Sequence, residues 1–581
     1  MNREKYNQLF LCKYAPAVLI PLLSFTGCGG GDTGDGRGIN LDVTPPAIIS
    51  NLSQNAFTLT WTAPGDDGTS GTANRYDIRY STTIITAGNW AGAIPVNNTP
   101  SPQVPGSLEQ ITVPGLSPNT TYYFAIKTAD EAGNVSALSN LAIAPATNVN
   151  TYYVSPAGTA SWAECANINT PCSGKTAVQN AMAGDTVYFR GGTYDPAADP
   201  VQAWLDTADN LKYETLPWNP SNSGSPGNPI TFKAYPGETP VFLDNSFGGS
   251  FGAVNRNWIV WDGITATIVD YPDFPIQLVV FNYAGHCVLR NSNLIGIRKA
   301  THHNSALVFL TYSHDILIEN NRIHGMNSYE PTDPEYIETA NNASGILNFY
   351  SYNMFVKNND IFDNYYGIWD KDTEQNNQYL NNHIWGTNAA SAGCNTGIQV
   401  NDQLSEYGAS SGARAYNNII RNCDIAISVY DGVGTSNGVA IYNNTITDSD
   451  STNQAGIFIT GSSNGADVYN NIIFGYQNQV RYYQPYTTTV ASSNYNIFYS
   501  TTALQWHIDW TTSFDSLAAW NTATTFDANS RTVDPLFLNS GGASPDDYKL
   551  QSESPAVSTG KNGTTIGAFP ADGNLIIGYR P

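Results

Sequence analysis

The chain is 581 residues long, enough for several domains, and its 25 Lys and Arg face 48 Asp and Glu, a formal net charge of −23. Such acidity excludes nucleic acid as a partner, and an acidic polymer would need a local basic site or a bridging divalent cation. Charged residues make up only 13% of the chain while Gly, Asn, Thr, Ser and Tyr abound, a composition that suits an extracellular β-rich protein.

Residues 1–27 read as a processing signal. Arg3, Lys5 and Lys13 precede an apolar run, Ala15 to Phe25, that is too short to span a bilayer. The run ends in Phe25-Thr26-Gly27-Cys28, which resembles a bacterial lipoprotein cleavage box with Phe25 in the place usually held by Leu. The resemblance implies a lipidated Cys28, outer-membrane lipid as a partner, and a flexible Gly-rich tether over 28–40. An ordinary secretory signal with a chance cysteine is the alternative, and both readings put the protein outside the cytoplasm.

Residues 41–147 form a separate β unit. Thr58-Leu59-Thr60-Trp61, the turn cluster Pro64-Gly65-Asp66-Asp67-Gly68, the alternating Tyr76-Asp77-Ile78-Arg79-Tyr80 and a late strand opening at Tyr122 make the pattern of a sandwich with a buried Trp. These residues resemble a fibronectin type III domain, with Asp130-Glu131-Ala132-Gly133-Asn134 as its last hairpin. Nothing in the segment suggests chemistry.

Residues 151–581 open at Tyr152-Tyr153-Val154. Cys165 and Cys172 flank a short polar loop and are expected to pair in an oxidising compartment. Thr176 to Met182 predicts a short helix capping the end of a solenoid, where strand edges would otherwise be open. One phrase then recurs seven times, Asn, then Asn or Ser, any residue, then Ile or Leu, starting at Asn291, Asn320, Asn358, Asn381, Asn417, Asn443 and Asn470. The steps of 29, 38, 23, 36, 26 and 27 residues are a base period in the twenties with loop insertions, the signature of stacked coils. Stacking predicts that the first Asn of each phrase joins a column of bonded amides. Cys394 and Cys423 fall at matching places on consecutive coils and are expected to meet, as a disulfide or as stacked thiols, leaving Cys287 buried and free. No CxxC spacing occurs, which argues against a cysteine metal site.

Between the Asn phrases stand short strands opened by a small residue: Ala306-Leu307-Val308-Phe309, Gly345-Ile346-Leu347-Asn348, Gly367-Ile368-Trp369-Asp370, Gly397-Ile398-Gln399-Val400, Ala426-Ile427-Ser428-Val429 and Gly456-Ile457-Phe458-Ile459. The phrase and the strands together resemble the right-handed parallel β-helix of the pectate lyase superfamily. The expected fold class is therefore all-β, a fibronectin type III β-sandwich followed by a right-handed parallel β-helix.

Counting two and four places from the small residue predicts the outward pairs Val308 and Leu310, Leu347 and Phe349, Trp369 and Lys371, Gln399 and Asn401, Ser428 and Tyr430, and Phe458 and Thr460. One place further, at the turn, come Tyr350, Asp372, Asp402 and Asp431. Aromatics offer flat apolar faces to sugar rings and amides match hydroxyls, so Phe349, Trp369, Gln399, Asn401 and Tyr430 are candidate polysaccharide-binding residues. His302 and His303, with Arg298 and Lys299 beside them, are further binding candidates, and with the acidic insertion 328–343 they should overhang this face.

The resemblance implies a groove on the same sheet. Family nine pectate lyases use an outward lysine as base beside a calcium held by aspartates, which here points to Lys371 with Asp370, Asp372 and Asp402 as catalytic candidates. Asp372, Asp402 and Asp431 are the calcium candidates. The chain departs from that pattern: Tyr365-Tyr366 and Asn395-Thr396 stand where the paired aspartates would be, and Trp369 stands where the lysine would be. Plainer readings stay open, in which Lys371 is a solvated lysine, the aspartates are turn residues bonding their own backbone, and the histidines are loop residues. The expected function is that of an exported, lipid-anchored, monomeric enzyme cleaving a uronate-containing polysaccharide by β-elimination. A non-catalytic carbohydrate-binding or adhesive surface protein, and a glycoside hydrolase on the same fold, are the alternatives.

Overall fold

The structure is a computed structural model that describes residues 42–580, apart from 56, 115, 117–119, 145–149, 196–215, 245–248, 270–276, 298–303, 328–342, 372–375, 388–392, 403–411, 432–437, 450–452, 461–464 and 484–489. Two antiparallel sheets come first. Ser53–Asn55, Thr58–Thr62 and Leu108–Thr112 form one; Ile94–Pro95, Arg75–Ser81, Tyr122–Ala129 and Ala142–Ala144 form the other. Alternation along Thr58–Thr62 turns Leu59 and Trp61 inward, where Trp61 meets the edge of Tyr76 at 5.1 Å. Ile78, Phe124 and Ile126 complete that core.

From Thr151 onward the chain winds through three stacked walls. The first runs from Thr151–Val154 to Val490–Asn494, the second from Gly192–Tyr194 to Ile497–Tyr499, and the third from Phe251–Val254 to Ser513–Phe514. Neighbouring strands are parallel except the last pair of the third wall, Gln505–His507 with Ser513–Phe514. The helix over the open end spans Gly174–Asn180, not 176–182, because Ser173 caps it by accepting from the Thr176 amide. Gly174 lies against Trp218, where a Cβ would come within 2.2 Å of the indole. Cys165 is bonded to Cys172 and Cys394 to Cys423. Cys287 is buried, and desolvation pushes its thiol up to about 12.

The amide column is real but is built from the second residue of the six Asn-Asn phrases, and is continued by Asn496, which follows Tyr495 at φ 60°. The first Asn, at 291, 320, 358, 381, 417, 443 and 470, has φ between 53° and 57°, a left-handed turn that Asn tolerates better than most residues. That turn sends the following residue inward. Asn321, Asn359, Asn382, Asn418, Asn444, Asn471 and Asn496 are each 0% exposed. Each Oδ1 from Asn359 to Asn496 accepts the backbone and side-chain N–H of the previous Asn at 2.9–3.2 Å. The sequence pattern failed here because both positions are Asn in six of the seven phrases, and only the turn geometry tells them apart.

The second wall is covered by the C-terminal segment, whose Phe537, Tyr548, Ile566, Phe569 and Ile577 pack against Ile419, Ile472 and Ile497. Beneath it His383 Nδ1 lies 3.0 Å from Asp360 Oδ1. Arg421 Nε donates to His383 Nε2 at 3.1 Å and Nη1 to the Gly542 carbonyl at 2.8 Å. A guanidinium only donates, so Nε2 accepts and the imidazole is neutral with its proton on Nδ1.

Two outcomes are expected. Asn418→Ala strips the acceptor from Asn382 and should cost about 1–3 kcal/mol in chemical unfolding, whereas Asn417→Gly should stay within about 0.5 kcal/mol. Burial lowers the pKa of His383 from its ordinary 6.5, so the unfolded chain binds more protons in mild acid. The stability linked to keeping His383 neutral is complete above about 6.5, the unfolded value, and is lost as pH falls from there through the lowered folded pKa. Proteolysis of the C-terminal segment should accelerate from about pH 7.5 to about pH 5, and less so in His383→Gln.

Candidate functional site

The outer face of the third wall is set by register. Val280, Phe309, Leu347, Trp369, Gln399, Ser428, Phe458, Arg481 and His507 pair successively from strand to strand. A second row holds Asn282, Thr311, Phe349, Lys371, Asn401 and Tyr430. Phe309, Leu347, Phe349 and Trp369 form an apolar cluster separate from the interior core, with Tyr350 and Tyr366 packed on it. On the inner side run Val308, Ile346, Ile368, Ile398, Ile427 and Ile457.

This places the predicted pairs outward from Gly345 onward but corrects the first. Val308 and Leu310 belong to the interior core and Phe309 points out. Ala306 pairs with Ser344, not Gly345, so the count began one place early. Because Ala306–Thr311 is buried throughout, no exposed polar residue marks its face.

Asp370 is a second correction. Two residues of a strand that flank a third face the side opposite to it, so the outward Trp369 and Lys371 leave Asp370 pointing into the stack, 0% exposed. Its carboxylate accepts from Asn348 Nδ2 at 2.8 Å, from Asn377 Nδ2 and from the Tyr379 hydroxyl. It cannot touch a substrate on the outer wall.

Lys371 is outward and half-buried, with Nζ 4.7 Å from the Phe349 ring centroid and 5.0 Å from that of Trp369. The Trp369 indole N–H donates to Asn401 Oδ1 at 2.5 Å, and Tyr366 leans on Trp369 at 4.5 Å. These contacts bury what composition alone suggested would be open: Phe349 is 8% exposed, Trp369 3% and Asn401 0%, while Tyr430 is 42% exposed. Gln399 is half-buried. Asp402 and Asp431 pair at adjacent strand ends, although their side chains, Asp372, His302 and His303 lie outside the described residues.

Among the described residues, the most open aromatic surface of this wall lies further along and was missed. Trp510, 75% exposed, packs at 4.5 Å on Tyr483 and 6.3 Å on Phe458. Arg481 stands in register between Phe458 and His507. Asp509 has a pKa of about 2, held down by the amides of Thr511 and Thr512 and the Thr512 hydroxyl. Burial lowers the pKa of His507, and Arg481 adds to that. Apart from Phe458, which the strand count placed outward, these residues follow the last Asn phrase, so the repeat gave no register for them. Their signal is the density of Tyr and Trp between 482 and 510.

Residues 44–142 match the fibronectin type III domain, and residues 277–473 match the right handed beta helix region. The chain is a fibronectin type III domain joined to a right-handed parallel β-helix. Among solved structures, the two-part chain is similar to pectate lyase Pel9A, at 15% identity over 73% of this chain and 98% of that one with a TM-score of 0.43. It is also similar to the GH136 lacto-N-biosidase from Eubacterium ramulus, at 12% identity, 60% and 64% coverage and a TM-score of 0.37. Calcium-activated chloride channel regulator 1 of Mus musculus is 36% identical over 112 residues, 17% of this chain and 12% of its own length. Endoglucanase B of Cellulomonas fimi is 26% identical over 215 residues, 36% of this chain and 17% of its own. The chain thus spans less than a fifth of the length of these curated relatives.

Burial decides what each tryptophan of the β-helix wall does. Trp369→Ala should lower stability by about 3–5 kcal/mol, and Trp510→Ala by no more than about 0.5 kcal/mol, both read from denaturant unfolding.

Proposed function

We propose that the protein is an exported, lipid-anchored polysaccharide lyase whose third wall binds a uronate-containing chain. The observation that carries this reading is the outward row in which Lys371, held over Phe349 and Trp369, stands beside Gln399, Asn401 and Tyr430. A cation on this face matches a sugar acid: the ammonium meets the carboxylate, the open Tyr430 ring meets a pyranose face and the Gln399 amide meets hydroxyls, while the covered Phe349, Trp369 and Asn401 hold Lys371 in place. In β-elimination a base removes the proton at C5 of the uronate, the electron pair forms the C4–C5 double bond, and the oxygen at C4 leaves and is protonated by water. Lys371 is our candidate for the base, which it can be only after giving up its own proton.

Calcium belongs to the same proposal. Asp402 and Asp431 stand opposite each other on strands about 4.8 Å apart, and carboxylate oxygens are the ligands that ion selects. With Asp372 they would hold it, and its charge would neutralise the uronate. The second reading, a surface protein that binds the chain without cutting it, draws support from the two rings under Lys371, which favour the charged ammonium. The acyl group on Cys28 would keep the protein in the outer membrane as a monomer.

The test is a panel of uronate polymers incubated with the full chain. A lyase releases products whose new double bond absorbs in the ultraviolet, and Lys371→Arg, which keeps the charge, should lose at least about 100-fold of that rate. A chelator should abolish it, with calcium restoring it. Reducing ends without the double bond would mean hydrolysis; neither signal, with retention on the polymer lost in Lys371→Ala, would leave binding alone. Cys28→Ser should move the protein from the membrane to the soluble fraction.

A further inference from the structure

Three metal-ligating side chains meet on a turn that the proposed groove does not use. Between the third and first walls one coil turns through Gly285-His286 and the next through His314-Asp315, with Gly285 bridged to His314. His286 and Asp315 have φ of 56° and 54°. The Nδ1 atoms of His314 and His286 lie 2.8 Å and 3.6 Å from the same oxygen, Asp315 Oδ2. One ligand atom from each residue falls within 4.8 Å of the others. A tetrahedral ion about 2.0–2.1 Å from each ligand holds them roughly 3.3–3.4 Å apart, and the two measured separations bracket that spacing.

The surroundings hold these groups in place. Gly285 leaves room for the His314 ring, since a Cβ there would come within 2.6 Å of Cε1. Trp258 stacks on His286 at 4.3 Å and Tyr352 on His314 at 5.4 Å. Asn353 Nδ2 donates to Asp315 Oδ1 at 3.3 Å, which turns the carboxylate so that Oδ2 faces the imidazoles. Outer partners of this kind orient metal ligands. A hydrogen bond from His314 to Asp315 accounts for the 2.8 Å contact, but not for His286, which turns the same nitrogen toward the same oxygen at 3.6 Å. The side chains are 35–39% exposed, so an ion can enter from solvent.

We propose that His286, His314 and Asp315 form a site for a divalent transition metal such as zinc, with water completing the coordination, that ties two successive coils together. Two imidazoles select such an ion over calcium or magnesium, which take oxygen ligands.

The experiment uses the full chain, free of any polyhistidine tag and stripped with a chelator, titrated with zinc chloride by calorimetry while thermal unfolding is followed in parallel. One zinc per chain should bind and raise the unfolding midpoint, with no competition from excess calcium. His286→Ala with His314→Ala should abolish binding, and Asp315→Asn should weaken it by about tenfold or more. His324→Ala, on another wall, should leave it unchanged. The proposal is overturned if no zinc binds, if calcium displaces it, or if binding survives the histidine changes. Should the double variant fail to fold, unchanged affinity in Asp315→Asn would sink it instead.

Discussion

The column of inward asparagines is what the rest of the β-helix depends on. Each amide satisfies the backbone N–H of the Asn on the coil before it and also reaches a backbone carbonyl such as those of Ile318, Val356, Tyr379, Ala415 and Ile441. A turn buried without such partners would leave polar groups stranded at about 1–3 kcal/mol each. Because every link joins one coil to the next, the column also fixes register. A slip by one residue would exchange the faces of every strand.

Register in turn decides chemistry at single-residue resolution. Trp369, Asp370 and Lys371 are consecutive, yet Lys371 sits on the outer wall over two rings while Asp370 is locked inside by Asn348, Asn377 and Tyr379. An acidic side chain in the core is tolerated because these donors replace its water, and removing any of them would leave a buried oxygen short of a partner. The same alternation that builds the core therefore removes one acidic group from the surface facing any ligand.

The outer wall is not uniform. Around Phe309, Leu347 and Trp369 it is a closed apolar cluster, whereas from Tyr430 to Trp510 it opens. Binding surface requires exposure, so the open half is where a flat sugar ring can reach aromatic faces, and the closed half positions Lys371. The second wall has no such option, because Phe537, Tyr548 and Phe569 cover it.

By itself the sequence determined the all-β class, the sandwich built on Trp61, the coil repeat, and the outward places of Trp369, Lys371, Gln399 and Asn401. Those follow from local rules, a period of two along a strand and a recurring turn, which a linear string records directly. Only the tertiary structure decided which Asn of each pair faces inward, that Phe309 rather than Val308 points out, that Trp369 and Asn401 are covered, and that His286, His314 and Asp315 meet. The reason is that the closing contacts join residues 22 to 38 positions apart, or span a stretch such as Ala306–Thr311 in which every residue is apolar or buried. In such places the face a side chain takes is set by the neighbouring coil, and loop insertions of unequal length between coils hide that neighbour from any count along the chain.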